Sequence, residues 1–290
     1  MAETNLRQAE AKAVVAGVVS DKDLQVVTED GVTRITGYVT VKTSDVNFVR
    51  FNVNVNEKTK AGTESKPYAG IQTVMNEYKS IAEVGEEEAT RVRVTGDVRP
   101  YTDKNGHRAV GYRSNFFNRI KNDADYEPRA EFSIELYIAS IMPELDSEGV
   151  ETGRMLVTGW MPTYNGIEPI TLVADGEVGK AIESEYEVGQ TVEFYGDIIN
   201  NRIEHVTEIP VKIGKPRRKV TYENKNDLLI NGASEAYEEG VTENPPYNAD
   251  TIQAAIQERN NRLEEAKAQA SRPMTQTKPS GAAHGRRLGF

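Results

Sequence analysis

The chain carries one short phrase twice, and this repeat limits the folds that the chain can adopt. Residues 32–41 read VTRITGYVTV, and residues 154–163 read RMLVTGWMPT. Each phrase holds Thr-Gly before an aromatic residue, which is Tyr38 in the first copy and Trp160 in the second. Two similar phrases this far apart in one chain are typical of a duplicated domain.

Two further phrases recur in the same order. Glu-Val-Gly stands at 83–85 and again at 187–189, and Gly-Asp-aliphatic stands at 96–98 and again at 196–198. Three matches in one order predict duplication rather than chance. A glycine inside a strand gives up side-chain packing, so we expect each repeated glycine to mark a sharp bend or a close backbone approach rather than a ligand contact. The glycines concerned are Gly37, Gly96, Gly159 and Gly196.

The first copy has the pattern of a small barrel. After an apolar first strand, residues 34–43 and 47–56 alternate apolar and polar side chains, which predicts two strands with one buried face each. Residues 68–85 place apolar side chains at helical spacing and stop at Gly85, which predicts one helix. Two more alternating strands flank an Asn-Gly turn at 105–106. This order of three strands, a helix and two strands is that of the OB-fold, a five-stranded partly open barrel.

The second copy repeats this order with loops of different length. Strands are predicted at 131–145, 153–161 and 167–174, a short helix follows from 176, and a fourth strand spans 191–200. The fifth strand has two candidate positions, and they are 218–223 and 227–233.

We therefore predict a mainly β fold with two OB-fold five-stranded barrels in tandem, each with one short helix, followed by a C-terminal helix and a disordered tail. The helix should begin near Asp250 as its N-cap, and the tail lacks any core-forming periodicity. The predicted boundaries are an N-terminal extension at 1–11, a first barrel at 12–122, an acidic second barrel at 131–233, a linker at 234–249, a helix at 250–270 and a disordered tail at 271–290.

Charge is divided unevenly between the two copies. The whole chain has a net charge of −10, which by itself argues against a nucleic-acid partner. Residues 12–122, however, hold 17 Lys and Arg against 14 Asp and Glu, whereas residues 131–209 hold 3 against 16. The first barrel can therefore face a polyanion, and the second repels one.

Signals for an enzyme are poor. The chain has no cysteine, and its three histidines are scattered without metal-ligand spacing, so we expect no catalytic residue, no metal and no cofactor. Neither a membrane-spanning run nor a signal peptide is expected, and the protein should stay in the cytoplasm of the cell that makes it, a bacterial host cytoplasm if a phage encodes it.

Strand parity predicts a binding face on the first barrel. The polar phases of its second and third strands turn rings and cations outward together, with Tyr38 and Phe48 among them. Exposed rings interleaved with cations suit unpaired nucleotides, because each base can stack on a ring while Lys and Arg neutralise phosphates. The alternative is that these rings form a cross-strand pair that only stabilises the sheet. The predicted DNA-binding residues are Arg34, Tyr38, Lys42, Phe48, Arg50, Arg91, Arg93, Arg99, Tyr101, Lys104, Arg113 and Phe117.

The second barrel lacks such a set. Arg154 is the cation close to Trp160 in sequence, and carboxylates dominate, so we expect this barrel to pack against the first or to bind a protein partner. The basic run at 212–219 either extends the DNA path or is a solvated loop.

At residues 16–27, 35–43, 46–56 and 81–106 the first barrel resembles the bacterial single-stranded DNA-binding protein family. With the duplicated barrel, DLLINGASEAY at 227–237 and a C-terminal helix, the chain is similar to the longer members encoded by tailed bacteriophages. The resemblance implies non-catalytic coating of single strands during phage replication or recombination. Bacterial members end in an acidic C-terminal segment that recruits partner enzymes, whereas this chain ends in GRRLGF. Partners other than DNA are therefore expected at the acidic barrel or at a tail that touches DNA or a phage protein.

Two alternatives remain open at the level of sequence. A β-rich structural or adaptor protein of a virion would also use an acidic barrel for assembly. An RNA-binding OB-fold protein would use the same stacking face, because stacking does not sense the 2′-hydroxyl.

Overall fold

The computed structural model describes residues 6–103, 105–209 and 216–270 of the 290-residue chain. Within that part the fold is mainly β, with eleven strands and four α-helices, which confirms the predicted fold class. The predicted disordered tail at 271–290 and the predicted contact residue Lys104 lie outside the described residues.

The first barrel follows the predicted order of strands. Its elements are β1 (Ala11–Glu29), β2 (Val32–Lys42), β3 (Phe48–Asn56), α1 (Lys66–Glu77), α2 (Ile81–Val84), β4 (Arg91–Thr102), β5 (Arg108–Arg113) and the short β6 (Phe117–Arg119). The first five strands pair in a ring of order β1–β2–β3–β5–β4–β1, which is the strand order of an OB-fold. The ring is weakest between β3 and β5, which share two residue pairs in parallel orientation.

The helical segment of the first barrel is divided in two, where the sequence predicts one helix. Tyr78 ends α1 in an extended conformation, and its buried hydroxyl donates a hydrogen bond of 2.8 Å to the carbonyl oxygen of Phe117. Ser80 then caps α2, and Glu83 accepts a hydrogen bond of 2.7 Å from the Ser80 backbone N–H. Periodicity alone did not reveal the break, because Val74, Tyr78 and Ile81 keep helical spacing across it.

The second barrel repeats this architecture. Its elements are β7 (Arg129–Leu145), β8 (Glu151–Thr163), β9 (Gly166–Asp175), α3 (Gly176–Glu185), β10 (Thr191–Ile209) and β11 (Arg217–Ala233). They pair in a ring of order β7–β8–β9–β11–β10–β7. The two candidate positions for the fifth strand, 218–223 and 227–233, both belong to the single long strand β11.

Equivalent positions of the two barrels pair with each other where β1 and β7 meet. In the first barrel Ala13 pairs with Gly96, and in the second Phe132 pairs with Gly196. Ala13 and Phe132 are themselves partners in the antiparallel ladder between β1 and β7. A local pseudo-twofold axis therefore passes between these strands, and one sheet runs through both barrels.

Two of the repeated glycines lie where no side chain fits. Gly37 has a φ of 140°, and a Cβ there would overlap the carbonyl oxygen of Asp23 on β1. A Cβ on Gly196 would overlap the carbonyl oxygen of Leu229 on β11. The predicted close approach of two backbones is confirmed at both positions.

Residues 234–248 lead into α4 (Ala249–Ala270) along the second barrel. The Tyr237 N–H donates to the carbonyl oxygen of Thr191 at 2.8 Å, and the ring of Tyr247 is buried. The side chain of Asn248 accepts hydrogen bonds from the N–H groups of residues 250 and 251, at 2.9 and 3.2 Å. Asn248, rather than the predicted Asp250, therefore caps the helix.

Candidate nucleic-acid interface

The predicted face of the first barrel is built by the outward phase of β2 and β3. Burial alternates strictly along β3, where Val49, Phe51, Val53 and Val55 are buried and the residues between them are exposed. On the outward side, Tyr38 pairs across the ladder with Asn52, and Lys42 pairs with Phe48. Tyr38 and Phe48 are partly buried. Both rings therefore lie on the outer surface of the barrel, with part of each ring open to solvent.

Tyr38 and Arg50 form a stack on this face. The Arg50 guanidinium lies over the Tyr38 ring at 3.7 Å from its centroid, and the Tyr38 hydroxyl donates a hydrogen bond of 3.0 Å to Asp21 Oδ2. This hydrogen bond to a carboxylate raises the pKa of Tyr38, so the phenol stays neutral at physiological pH. The Tyr38 ring is thus held by its hydroxyl and by the guanidinium over one of its faces. The outer plane of this exposed guanidinium presents a flat cation on which a base can stack.

The face continues across three more strands. Asn52 pairs with Arg113 on β5, Arg113 pairs with Asp97 on β4, and Asp97 pairs with Lys12 on β1. Arg113 donates to the backbone carbonyl oxygen of Asn54 at 2.8 Å, so its guanidinium lies along β3. One row of outward side chains thus crosses the whole barrel from Tyr38 to β1.

Tyr101 lies beside this row and is the most exposed ring of the predicted set. Its side chain is about half exposed, and it approaches Gly111, which also borders the side chain of Asn52. Because Gly111 has no side chain, the Tyr101 ring can lie close to the β5 backbone. Tyr38 and Tyr101 are therefore separated on one surface by Asn52 and Gly111.

Several predicted cations on this barrel are already paired. Arg34 forms an ion pair with Glu29, and Arg99 forms one of 2.9 Å with Asp97. Lys42 is only 14% exposed and lies 2.8 Å from Glu86, whose hydrogen bond raises the pKa of the Lys42 ammonium. These carboxylates compensate the cations, so the three residues contribute less free positive charge than the sequence suggests.

Four of the predicted arginines have other surroundings. Arg91 lies over the ring of Tyr126 at 4.7 Å, and Arg93 is exposed farther along β4, where it borders a groove shared with Arg119 and Lys121. No ion pair joins Arg50 or Arg113 to a carboxylate among the described residues. Arg93 likewise has no ion pair with a described carboxylate, so Arg50 and Arg113 are the free cations next to Tyr38 rather than the only ones on the barrel.

Phe117 is not part of the predicted surface. Its ring is 7% exposed and packs edge-on against Phe51 in the barrel core, with centroids 6.2 Å apart. The parity counted from Arg113 fails because the chain bends after β5, where buried Ser114 donates a hydrogen bond to the carbonyl oxygen of Thr95. As a result the exposed ring at this point is Phe116, which the sequence analysis did not identify.

Acidic side chains also border the face. Asp23 pairs with Tyr38 across the β1–β2 ladder, Asp21 holds the Tyr38 hydroxyl, and Asp97 lies between Arg113 and Arg99. The sequence analysis counted the rings and cations of this face and left out these carboxylates, which β1 and β4 supply. The face therefore carries carboxylates as well as cations and rings.

The chain matches the profile of the YorF family over residues 10–269. It belongs to the YorF family. The wild-type single-stranded DNA binding protein from Thermus aquaticus has a similar solved structure, with a TM-score of 0.49 and 9% identity over 82% of this chain and 98% of that chain. A deletion mutant of the same Thermus aquaticus protein gives a TM-score of 0.49 and 10% identity over 82% of this chain and 99% of that chain. No curated protein matches this YorF-family chain.

In this YorF-family protein, α4 covers the corresponding face of the second barrel. Trp160 occupies the position of Tyr38, and the guanidinium of Arg259 from α4 lies 5.7 Å from its ring centroid. Arg259 is buried and forms an ion pair of 3.0 Å with Glu168 of the second barrel. It also donates to the Thr102 hydroxyl of the first barrel at 2.5 Å. The helix therefore fills part of the surface that stays open in the first barrel and joins the two barrels.

No group of three or more His, Asp or Glu side chains in the described ranges could hold a metal ion. His107 lies in the turn after β4, where Asp103 accepts hydrogen bonds from its N–H and from the Asn105 N–H. No α-helix of the described residues is both long and apolar enough to cross a membrane.

Proposed function

We propose that this protein binds single-stranded DNA without sequence preference through the outer face of the first barrel. The observation that carries the proposal is the stack of Arg50 on Tyr38, which combines a fixed ring and an unpaired cation on the outward side of an OB-fold sheet. Phe48 lies on the same side of β3, two residues from Arg50.

Bases stack on the outer plane of Arg50 and on the open parts of Phe48 and Tyr101, while Arg50 and Arg113 neutralise phosphates. Stacking on a protein ring contributes about 1–3 kcal/mol per base and depends little on sequence. A duplex keeps its bases paired and offers these rings no free base face. Single strands are therefore the preferred ligand, and affinity falls as salt rises.

In a cell this activity amounts to coating single strands during DNA replication or recombination, in a phage-infected bacterium if the gene belongs to a phage. The acidic second barrel then serves assembly, because its carboxylates repel the DNA backbone and α4 covers its counterpart face. RNA is the second candidate ligand, since stacking alone does not distinguish RNA from single-stranded DNA.

A titration of labelled oligonucleotides tests the proposal. We expect the full-length protein to bind a single strand well above the matching duplex, with an affinity that decreases as salt increases, and an RNA competitor measures the preference for DNA. Preference for the duplex, or binding indifferent to salt, contradicts the mechanism. Tyr38→Ala combined with Phe48→Ala should weaken binding by about 1–3 kcal/mol for each stacked base lost. Tyr195→Ala is the matched control, because this exposed ring lies on the second barrel.

A structural or adaptor role in a virion is the rival function. It is favoured by the exposed hairpins of the acidic second barrel, where Met142, Leu145 and Val150 are each more than half exposed. Recovery of the protein in purified particles, together with no affinity for oligonucleotides, would support that role over DNA binding.

A further inference from the structure

Two hairpins of the second barrel extend beyond its core. The arm consists of residues 200–209 of β10 and 217–226 of β11, which pair from Asn200–Asn226 to Ile209–Arg217. Ten residues of strand reach roughly 30 Å. The acidic tip consists of residues 142–151, at the turn between β7 and β8. Both are two-stranded and exposed on both faces along most of their length, an arrangement that is marginally stable without a covering partner.

Large apolar side chains are concentrated on these two hairpins. Of the fifteen such side chains that are exposed on the described part of the chain, four lie on the arm and three on the acidic tip. Those of the arm are Val206, Ile209, Val220 and Tyr222, and those of the tip are Met142, Leu145 and Val150. Val206 and Val220 face each other across the arm, so they form one apolar patch. Paired patches of this kind mark interaction sites.

The charges of the two hairpins are opposite. In the sequence, residues 204–222 hold five Lys and Arg against two Glu, and Arg217, Arg218 and Lys219 of these lie on the described part of the arm, whereas residues 142–151 hold four Asp and Glu and no cation. Glu144 is paired with Arg154 at 3.2 Å. The Asp146 side chain accepts hydrogen bonds from the N–H groups of Glu148 and Val150 and thereby shapes the turn. Glu148 and Glu151 are exposed and form no ion pair within the described residues.

The base of the arm is held next to the binding face of the first barrel. The Arg202 N–H donates to the carbonyl oxygen of Val46 at 2.8 Å, and the Asn200 N–H donates to the side chain of Asn47 at 2.8 Å. Because the β2–β3 loop fixes the base, the arm projects in one direction from the molecule and cannot fold back freely onto its own barrel.

We propose that the arm of one copy docks on the acidic tip of a second copy of this chain. Valine and isoleucine side chains of the arm cover the apolar side chains of the tip, and Arg217 and Lys219 meet Glu148 and Glu151. Because arm and tip are different surfaces, the contact is heterologous and can repeat from copy to copy. The inference rests on the proposed function only in one respect, namely that a shared single strand would line up the copies.

The composition of the arm favours this partner over a nucleic acid. Aliphatic side chains such as Val206 and Val220 offer no ring for a base, and the tip that completes the surface is acidic. The stack of Arg202 on Tyr222, at 4.1 Å, is the feature of the arm that would suit a base. Binding of single strands by the arm is therefore one outcome of the test.

Sedimentation velocity of the full-length protein over a range of concentrations tests the contact without DNA. We expect concentration-dependent self-association that Arg217→Glu with Lys219→Glu weakens, and that Glu148→Lys with Glu151→Lys also weakens. Each reversal should raise the dissociation constant by about tenfold or more. A mixture of the two variants restores complementary charges and should associate again. Glu183→Lys with Glu185→Lys, on the exposed side of α3, is the control and should behave as wild type.

Affinity for an oligonucleotide too short to hold two copies separates this proposal from DNA binding itself. We expect both hairpin variants to keep the wild-type affinity for it. A monomeric wild-type protein at every concentration, or a mixture that does not associate, overturns the proposal. Loss of short-oligonucleotide affinity in the arm variant alone would assign the arm to DNA and also overturn it. If the wild type associates but binds no oligonucleotide, the docking contact stands and the proposed function fails.

Discussion

Arg50 and Arg34 lie on neighbouring strands of the same face, yet only one of them should set the salt dependence of binding. Arg34 is paired with Glu29, whereas Arg50 rests on the Tyr38 ring with no carboxylate partner among the described residues. Replacing each arginine with alanine therefore compares a compensated cation with a free one on the same face of neighbouring strands.

The size of the effect follows from counterion release. Each phosphate neutralised on a single strand contributes about −0.7 to the slope of log K against log salt. Arg50→Ala should make the slope shallower by about 0.7. It should also remove a stacking plane, which costs about 1–3 kcal/mol, or roughly 5- to 150-fold in affinity at low salt. Arg34→Ala should leave the slope unchanged, because Glu29 already compensates the positive charge of Arg34.

Fluorescence anisotropy of a labelled oligothymidine, titrated at four or five salt concentrations, measures both slopes. Circular dichroism checks that each variant is folded. If Arg34→Ala changes the slope as much as Arg50→Ala does, the ion pair between Arg34 and Glu29 opens on binding. The premise that a cation paired in the free protein neutralises no phosphate is then refuted.

Two other perturbations have definite expected results. Asp21→Asn should strengthen binding severalfold, because it removes a carboxylate beside the stack. The same change should return the raised pKa of Tyr38 toward its ordinary value; because the pKa of the wild-type hydroxyl is raised, binding measured from pH 7 to 9 should show no loss from this residue. Arg259→Ala should lower the free energy of unfolding by about 3 kcal/mol, because it leaves a carboxylate without its partner, and it should shift the fluorescence of nearby Trp160. Arg262→Ala, an exposed change on the same helix, should lower that free energy by less than about 1 kcal/mol in urea unfolding.

The repeated phrases and the period-two alternation predicted the architecture well. Alternation in β2 and β3 assigns Phe51 to the core and Arg50 to the surface, because successive side chains of a strand point to opposite faces. The same rule failed at Phe117, where a bend between β5 and β6 resets the parity. A bend created by a buried serine that bonds to another strand leaves no periodic signal in the sequence.

The state of the candidate site was harder to predict than its position. Lys42 is compensated by Glu86, which lies 44 residues away in sequence and comes close only through the fold. Arg259 likewise comes close to Trp160 only through the fold, because nothing in the amphipathic pattern of α4 specifies which barrel face the helix packs against. Sequence reasoning therefore predicted, except at Phe117, which side of a strand the rings and cations lie on, but not which of them tertiary contacts had already paired or covered.

Photocrosslinking maps the binding face most directly. An oligonucleotide that carries 5-iodouracil is irradiated with the full-length protein, and the crosslinked peptides are identified by mass spectrometry. The account predicts crosslinks at Tyr38 or Phe48, within residues 34–56, and none at Trp160. Crosslinks concentrated in the second barrel, with the first barrel unmodified, would contradict it.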